Sequence, residues 1–470
     1  MAQGSSKDRG ALLVVLGFAF VLTFNGPSSS LWIVNEALGD YSSTATLLYR
    51  VGQSLSFVVL AAASRWIYPL HGRSSAVIGA ALLCFGGALT VALVSIFGVT
   101  ATSSLFAVLA ASFLAGALSS VLYLAWIEII CRLRPSSVLL CFAGAYLLSG
   151  VMATFLAWGG ANVVCLACAC SLPLLCLPLY QKCVDNLNAE VFLGGENPSS
   201  NWSFPFRPVA LMAIMAFANS FIRMNLPAGD QALSSVGAVV VGALLVAAAF
   251  WKGAVFDVRI LLQVSVPLMT VAALGVMIDP VGLASLCTLL SNAAFVVFIV
   301  FISVTLCSMV FRYGVNPLWL LGFVFAARTA SSWLVAGISG FWAPGLFTPA
   351  GSELAMALII ALMSVLYPVS YSARDVYSSW GVKLAQLSTE KERDAGSPEG
   401  LYAACMVASR TFDLTHREEE VLFYLSQGFT LSTIAEKLYL SLATVKTHAQ
   451  HIYRKTGVHG KAELIELLRK

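Results

Sequence analysis

Residues 414–468 read LTHREEEVLFYLSQGFTLSTIAEKLYLSLATVKTHAQHIYRKTGVHGKAELIELL. Apolar residues recur in this stretch every three or four positions, which predicts amphipathic helices. Gly428 and Gly457 suit the left-handed backbone that ends a helix, while Thr430 and Ser441 can cap the N-termini of a second and a third helix. The pattern predicts four short helices with only about three residues between the second and the third, as a helix-turn-helix requires.

The third of these helices, predicted over residues 441 to about 455, has a polar outer surface without acidic side chains. No Asp or Glu occurs between Lys437 and Lys461. An acid-free helix of this kind is the electrostatic footprint expected where phosphate approaches. A small helical domain that contacts another protein is the alternative for this pattern. The residues predicted on the outer faces are Thr444, Lys446, Thr447, His448, Gln450, Arg454 and Lys455.

The same stretch resembles the LuxR-type family of DNA-binding regulators along its whole length. The matching residues are Leu414-Thr415, Arg417-Glu418, Val421-Leu422, Gly428, Ile434-Ala435, Leu438, Ser441, Thr444-Val445-Lys446, His448, Ile452-Tyr453, Lys455, Gly457-Val458 and Glu463-Leu464-Ile465. This sequence departs from the family where Ser432-Thr433 replaces the usual Lys-Glu, Thr456 a common Leu, and Lys461 a common Arg.

The resemblance implies that the third helix enters the major groove of double-stranded DNA. Lys446, Thr447 and Gln450 would then face base edges. Contacts with the DNA backbone are implied for Ser441, Thr444, His448 and Lys455, and Arg454 and Lys461 complete the expected DNA-binding set. Such domains commonly act in pairs on two half-sites, so we expect a homodimer on DNA.

The chain as a whole is too apolar for a soluble protein. Hydrophobic residues make up 59% of the 470 residues and charged residues only 11%, against roughly 25% charged in ordinary soluble domains. Residues 1–371 contain 14 Lys or Arg and 11 Asp or Glu, whereas the much shorter segment 413–470 contains 8 and 7. The composition therefore predicts a lipid-solvated part first and a water-soluble part last.

Twelve apolar runs before residue 372 are long enough to cross a bilayer, which takes about 20 residues of helix. They divide six and six around a polar stretch at residues 181–208. We expect a membrane domain over 1–371 with halves at about 10–181 and 207–371, a cytoplasmic linker over 372–412, and the DNA-binding domain over 413–470. The runs lie near 11–33, 44–63, 75–97, 103–127, 136–158, 161–180, 207–227, 232–251, 258–278, 282–311, 317–341 and 352–371.

Positive charge is confined to one set of the predicted loops. With the N-terminus inside, the N-terminal segment and the inner loops contain eleven Lys or Arg residues, and the outer loops contain none. Because Lys and Arg accumulate on the cytoplasmic side, this asymmetry predicts cytoplasmic N- and C-termini. We expect the protein in the bacterial cytoplasmic (inner) membrane, with its last domain on the side of the chromosome.

Twelve spans in two halves with a long central cytoplasmic loop resemble the major facilitator superfamily over roughly residues 10–371. The resemblance rests on architecture, because the loop at residues 65–73 lacks the acidic residue usual in that family. The expected fold class is all-α: a polytopic bundle of twelve transmembrane helices (6+6), followed by a small four-helix LuxR-type helix-turn-helix domain.

Three arginines, Arg50, Arg223 and Arg328, fall within the predicted spans. A charged residue at a helix centre costs about 2.5–3.5 kcal/mol on insertion scales, so it usually faces the bundle interior. We expect these arginines, with Asn225, to bind a small carboxylate or another anion. The alternative is that Arg50 and Arg223 reach the outer interface, or that they pair with one of the acidic residues Glu36, Asp40 and Glu353.

The favoured function is a one-component transcription regulator that senses a ligand in the membrane domain. No P-loop, dinucleotide fingerprint, zincin motif or catalytic triad pattern occurs, so we expect neither enzyme activity nor a metal or other cofactor. The alternatives are a secondary transporter of the major facilitator type with a regulatory tail, and an anchor that tethers DNA to the membrane. The spans contain few carboxylates, which proton-coupled transport normally uses, and this favours a sensor.

Overall fold

The computed structural model describes residues 2–26, 42–97, 102–133, 135–159, 162–187, 204–226, 231–252, 259–313, 315–339, 344–370, 405, 408–409, 411–426, 428–438 and 440–469. The described residues belong to two compact units, one within residues 1–382 and the other within residues 383–470.

In the described residues, the first unit is a bundle of twelve long helices, one for each predicted apolar run. Eight of the described helices are long and apolar enough on their own to cross a membrane. The helices are α1 (Ala2–Asn25), α2 (Ser42–Ala62), α3 (Ser74–Phe97), α4 (Thr102–Ile130), α5 (Pro135–Gly159), α6 (Val163–Leu187), α7 (Phe206–Met224), α8 (Gln231–Lys252), α9 (Arg259–Ile278), α10 (Ala284–Tyr313), α11 (Pro317–Gly337) and α12 (Pro349–Ser370).

Several helix ends differ from the predicted runs: α1 begins at Ala2 rather than near residue 11, and α6 extends to Leu187 rather than to about residue 180. The ends of α1 and α7 fall short of their runs. The first run was expected to extend to residue 33, but α1 ends at Asn25, and residues 27–41 lie outside the described residues. The run near 207–227 ends three residues early, since α7 stops at Met224. Hydropathy gives no sharp boundary where Asn, Gly and Pro follow an apolar run, and this explains both differences.

Glycines allow the closest helix contacts in the bundle. A Cβ atom on Gly116 of α4 would collide with the backbone carbonyl of Tyr49, and one on Gly52 of α2 would collide with that of Phe113. The two helices therefore touch backbone to backbone. Close approach over small residues drives helix association in lipid, where the hydrophobic effect between helices is absent.

The two halves of the bundle meet in an aromatic core. The ring of Tyr123 on α4 lies edge-on to Phe325 of α11, with 4.7 Å between centroids. Phe18, Phe57 and Phe142 extend this cluster within the first half. All five rings are buried. The core joins the halves around the bundle axis.

Polar and thiol contacts also join the halves at the end of the bundle where α4 ends and α11 begins, here called the inner end. The Sγ atoms of Cys131 and Cys307 are 3.3 Å apart, and Asn316 Nδ2 donates to the carbonyl oxygen of Ser64 at 3.3 Å. Nearby, the buried Glu128 carboxylate pairs with Arg132, one helical turn further on, at 2.6 Å.

The second unit contains four short helices, α13 (His416–Ser426), α14 (Leu431–Leu438), α15 (Leu442–Thr456) and α16 (Lys461–Arg469). Three residues separate α14 from α15, as predicted. Gly428 and Gly457 have positive φ angles of 89° and 73° at the ends of α13 and α15, which confirms their predicted role. The core consists of Val421, Leu422, Leu425, Ile434, Ala435, Val445, Ala449, Ile452, Leu464 and Leu468.

Cys405 and Ala408, which lie in the predicted linker, are buried in this same core. Packing of the second unit therefore includes side chains that precede residue 413. The physical reason is that four short helices leave part of their apolar surface uncovered without an additional segment. The position of the domain boundary stays a prediction.

Replacing Gly116 by Val tests the backbone contact between α2 and α4. We expect a large fall in the melting temperature of the purified protein, because the new side chain must push the helices apart, and overpacking typically costs about 1–3 kcal/mol. Gly79→Val in α3 is the matched control, since a Cβ there meets nothing within 4 Å. Equal melting temperatures for the two variants would contradict the described packing.

Candidate functional site

One face of α15 presents polar side chains to solvent. Ser441 caps the helix by accepting a hydrogen bond from the backbone N–H of Thr444 at 3.1 Å. With Val445, Ala449 and Ile452 turned into the core, the opposite side of the helix is free. Its exposed polar residues are Lys446, Thr447, Gln450 and Arg454, all from the predicted set. Lys446 and Arg454 form no ion pair with any part of the chain that the structure describes.

Other members of the predicted set are less available. Thr444 and His448 are half-buried, and the Thr444 hydroxyl lies 2.7 Å from that of Ser441. The Thr447 hydroxyl donates to the carbonyl oxygen of Ala443 at 3.0 Å. Thr444 and His448 therefore border the exposed face, whereas Thr447 lies on it; the hydroxyls of Thr444 and Thr447 use part of their hydrogen-bonding capacity within the helix.

The bundle contains a second candidate site around Arg50 of α2. Its guanidinium donates to Gln53 Oε1 at 3.3 Å and contacts the carbonyl oxygen of Asn25 at 3.5 Å. The Asn25 side-chain oxygen accepts from Tyr49 at 3.1 Å, and the Tyr49 hydroxyl also lies 3.2 Å from Ser119 Oγ. This buried polar network orients Arg50 without neutralising its charge.

Arg328 belongs to α11 in the other half. Its guanidinium carbon lies 5.8 Å from the centre of the Phe295 ring. It interacts electrostatically with Arg50 and with the hydroxyls of Tyr123 and Tyr146. Both hydroxyls are buried and lack a hydrogen-bond partner within the described segments. A cation and two buried hydroxyl groups thus lie together between the halves.

Arg223 is the penultimate residue of α7 and interacts electrostatically with Arg50. Asn225, the fourth predicted ligand-binding residue, donates its amide to the carbonyl oxygen of Phe221 at 2.9 Å and so caps its own helix. Among the described residues no carboxylate pairs with Arg50, Arg223 or Arg328. Glu36 and Asp40 of the alternative prediction lie outside these residues, and Glu353 is exposed.

Comparison with known proteins identifies the second unit. The family described as "Bacterial regulatory proteins, luxR family" matches residues 413–468. This segment is a LuxR-type domain. It is 43% identical over 53 residues to the oxygen regulatory protein NreC of Staphylococcus aureus, for instance in strains JH9 and USA300. The match covers 11% of this chain and 24% of those relatives, so the chain spans about a quarter of their length.

The bundle shares its fold with solved membrane transporters. A bacterial homologue of the iron transporter ferroportin, in an outward-facing state, aligns with a TM-score of 0.54 and 14% identity over 79% of this chain and 99% of its own. The proton:xylose symporter XylE of the major facilitator superfamily aligns with a TM-score of 0.51 and 13% identity over 78% and 95%. The protein is thus a LuxR-type domain fused to a bundle of the major facilitator fold.

Two lysines predicted to contact DNA bind groups inside the LuxR-type domain. The ammonium of Lys455 donates to Glu418 at 2.7 Å and to the carbonyl oxygen of Asp413 at 2.9 Å. Lys461 donates to the carbonyl oxygens of Gly428 and Phe429. Both lysines therefore hold the domain together, and a DNA contact by either of them stays a prediction.

Glu418 is the anchor of the LuxR-type domain, a role the sequence reading missed. Its carboxylate, 3% exposed, accepts from Lys455 and from the Thr415 backbone N–H at 2.7 Å, and lies 3.4 Å from His451. Burial by itself raises the pKa of Glu418, but the hydrogen bonds from Lys455 and Thr415 outweigh it and lower the pKa from 4.5 to about 2. The spacing Thr415-x-x-Glu418 is a capping-box signal that could have indicated this role.

Replacing Glu418 by Gln should therefore destabilise the LuxR-type domain at neutral pH. A pKa lowered from 4.5 to about 2 corresponds to about 3 kcal/mol. The stabilisation is complete above pH 4.5 and is lost as the pH falls towards 2, because the lowered pKa belongs to the folded state. Hydrogen–deuterium exchange on the full-length protein should show faster exchange in α13 and α15.

Glu466→Gln, which removes an exposed carboxylate from α16, is the control and should leave exchange in α13 and α15 nearly unchanged. Unaltered exchange in Glu418→Gln would show that the carboxylate is not the anchor of the domain. In the wild-type protein, protection of the same helices should decrease between pH 4.5 and pH 2 if Glu418 is ionised in the native state.

Proposed function

We propose that this protein is a membrane-bound one-component transcription regulator. Its LuxR-type domain binds operator DNA, and its twelve-helix bundle senses a small anionic ligand. The observation that carries the proposal is the exposed, acid-free face of α15, formed by Lys446, Thr447, Gln450 and Arg454. In a helix-turn-helix this is the helix that enters the major groove.

The chemistry of this face suits duplex DNA. Lys446 is a cation without an ion-pair partner in the part of the chain that the structure describes, and Gln450 follows four positions later on the same side. Lys recognises acceptors on guanine and Gln recognises adenine, whereas Thr contacts either base edges or the thymine methyl group. Arg454, one turn further, is placed for a phosphate. Ser441, Thr444 and His448 border the face and add contacts with the DNA backbone.

Assembly and location complete the proposal. A helix-turn-helix pair reads two half-sites, so the regulator acts as a homodimer on DNA. Arg65, Arg73, Arg132 and Arg207 lie at or next to the helix ends that the charge asymmetry assigns to the cytoplasm. This orientation, with both termini cytoplasmic in a bacterial inner membrane, leaves the LuxR-type domain within reach of the chromosome.

Transport is the second candidate function, because the bundle shares its fold with transporters. Proton coupling in such proteins uses carboxylates inside the membrane. Glu128 is the buried carboxylate in the described part of the bundle, and it is already paired with Arg132 and His71 at 2.6 Å. This pairing favours a sensor. A plain DNA tether would not need arginines in the bundle that lack a paired carboxylate among the described residues.

Replacing Lys446 by Ala should weaken operator binding about 5- to 150-fold, because a contact with a base edge is worth about 1–3 kcal/mol. Sites are first identified by sequencing genomic fragments retained by the full-length protein in nanodiscs, and affinity is then measured on those fragments. Arg417→Ala is the control, since this arginine lies on α13 and pairs with Glu420 at 2.8 Å. Equal losses in both variants, or no loss in Lys446→Ala, would exclude the assigned face.

The transporter alternative is tested in membrane vesicles. For a sensor we expect labelled anions to bind saturably to the bundle without accumulating inside the vesicles. Saturable accumulation that depends on a proton gradient would favour the transporter instead. DNA occupancy in cells, compared between wild type and Lys446→Ala, shows independently whether the LuxR-type domain acts as a regulator.

A further inference from the structure

We infer that the bundle binds an organic anion with two acidic groups, held between Arg50 of the first half and Arg328 of the second half, with Arg223 at the entrance. The anion enters from the end opposite the inner end. This inference rests on the proposed function, which assigns sensing to the bundle, and it adds the class of ligand and the side from which the ligand is read.

The depth of the arginines gives the path. Consecutive helices alternate in direction, so α2 begins, and α7 and α11 end, at the outer end of the bundle. At 1.5 Å per residue, Arg50 lies roughly 12 Å from the start of α2 and Arg328 roughly 14 Å from the end of α11. Arg223, next to the last residue of α7, lies near the outer end itself. The three arginines thus lie at increasing depth from the outer end towards the centre of the bundle.

The inner end is closed by contacts between the halves. Cys131 contacts Cys307, and Asn316 donates a hydrogen bond to the backbone of Ser64. The rings of Tyr123 and Phe325 pack against each other between the halves. All three arginines nevertheless retain solvent-accessible surface. Because contacts between the halves block the way from the inner end, a ligand reaches this surface from the outer end.

The charge of the site determines the ligand. Arginine stays protonated in proteins, and burying a cation without a counter-ion is strongly unfavourable. Arg50, Arg223 and Arg328 contribute three positive charges, with no ion-paired carboxylate in the described residues around them. A single acidic group leaves two charges uncompensated. Two acidic groups leave only one charge uncompensated, and two carboxylates on one molecule can contact arginines that lie at different depths.

Neutral groups complete the recognition of a carboxylate. The hydroxyls of Tyr123 and Tyr146 are buried beside Arg328 and have no hydrogen-bond partner in the described structure. A buried hydroxyl without a partner costs about 1–3 kcal/mol, so a carboxylate that accepts from both relieves this cost. One acidic group therefore lies between Arg50, Arg328 and these hydroxyls, and the second lies towards Arg223.

The position of the site explains how binding alters the bundle. Arg50 and Tyr123 come from the first half, whereas Arg328 and Arg223 come from the second. A ligand that contacts both halves stabilises the arrangement in which they are close, and so shifts the population of bundle conformations. The cations repel each other when the site is empty, which makes the arrangement depend on the anion.

The test is titration calorimetry on the full-length protein in nanodiscs with succinate and phthalate, an aliphatic and an aromatic dicarboxylate. We expect at least one to bind saturably, and its monoacid, butyrate or benzoate, to bind at least tenfold more weakly. Inorganic phosphate should also bind more weakly, because it is compact. Absence of binding by both dicarboxylates, or equal binding by monoacid and dicarboxylate, would overturn the inference.

Variants locate the site. Arg328→Gln and Arg50→Gln should each abolish binding, whereas Arg65→Gln, which removes an exposed arginine outside the cluster, should preserve it. Tyr123→Phe keeps the ring packing and should weaken binding about tenfold. This variant tests the site even if an arginine variant does not fold. If a folded Arg328→Gln protein bound the dicarboxylate with unchanged affinity, the site would not lie between the halves.

The side of entry is tested with right-side-out and inverted vesicles. Binding of labelled dicarboxylate to right-side-out vesicles only is the expected result, and binding to inverted vesicles only would overturn the inferred path. DNA occupancy separates this inference from the proposed function. If dicarboxylates do not bind but genomic occupancy still depends on Lys446, the ligand assignment fails while the regulator stands; if occupancy is absent, the regulator itself fails.

Discussion

Hydrocarbon offers no hydrogen-bond partner to a peptide group, and this constraint determines most of the chain. Each N–H and C=O within the bilayer must be satisfied inside its own segment, so the apolar runs can only be helices. Because lipid tails are as apolar as the side chains, the hydrophobic effect does not hold these helices together. Close backbone contact does so instead, at Gly52 and Gly116 and again where Gly242 of α8 packs against Leu147 of α5.

The LuxR-type domain solves the opposite problem, because water surrounds it and its core is small. Twelve buried side chains form the core, and the ends of its helices need specific partners. Ser441, Thr430 and Thr415 cap three helices, while Gly428 and Gly457 end two of them. Glu418 and Lys455 then bind α13 to α15 through a buried ion pair. These contacts fix α15 to α13 on the side opposite its exposed polar face.

Sequence reasoning predicted what depends on periodicity and composition, and missed what depends on long-range contact. The twelve helices and the step between α14 and α15 follow from local patterns, as does the pairing of Glu128 with Arg132 one turn away. Lys455 and Glu418 are 37 residues apart in sequence. The charge pattern of α15 therefore predicted a DNA contact for Lys455 and did not indicate that Glu418 is its partner. A role for Tyr123 and Tyr146 was not predicted either, because tyrosines in apolar helices are common and only folding brings these two beside Arg328.

The cations of this protein fall into two groups according to whether the chain provides an anion for them. Arg132, Arg417 and Lys455 each have a carboxylate within 2.8 Å, and their charges are used to fix local structure. Arg50, Arg328, Lys446 and Arg454 have none in the described residues, although the first two are half-buried and the last two lie together on one helix face. An uncompensated cation costs free energy in the unliganded protein, most of all when it is partly buried. The described residues contain two such groups, one partly buried in the bundle and one on the exposed face of α15. In the proposed function, a carboxylate of the ligand compensates the first group, and DNA phosphates and acceptors on base edges interact with the second.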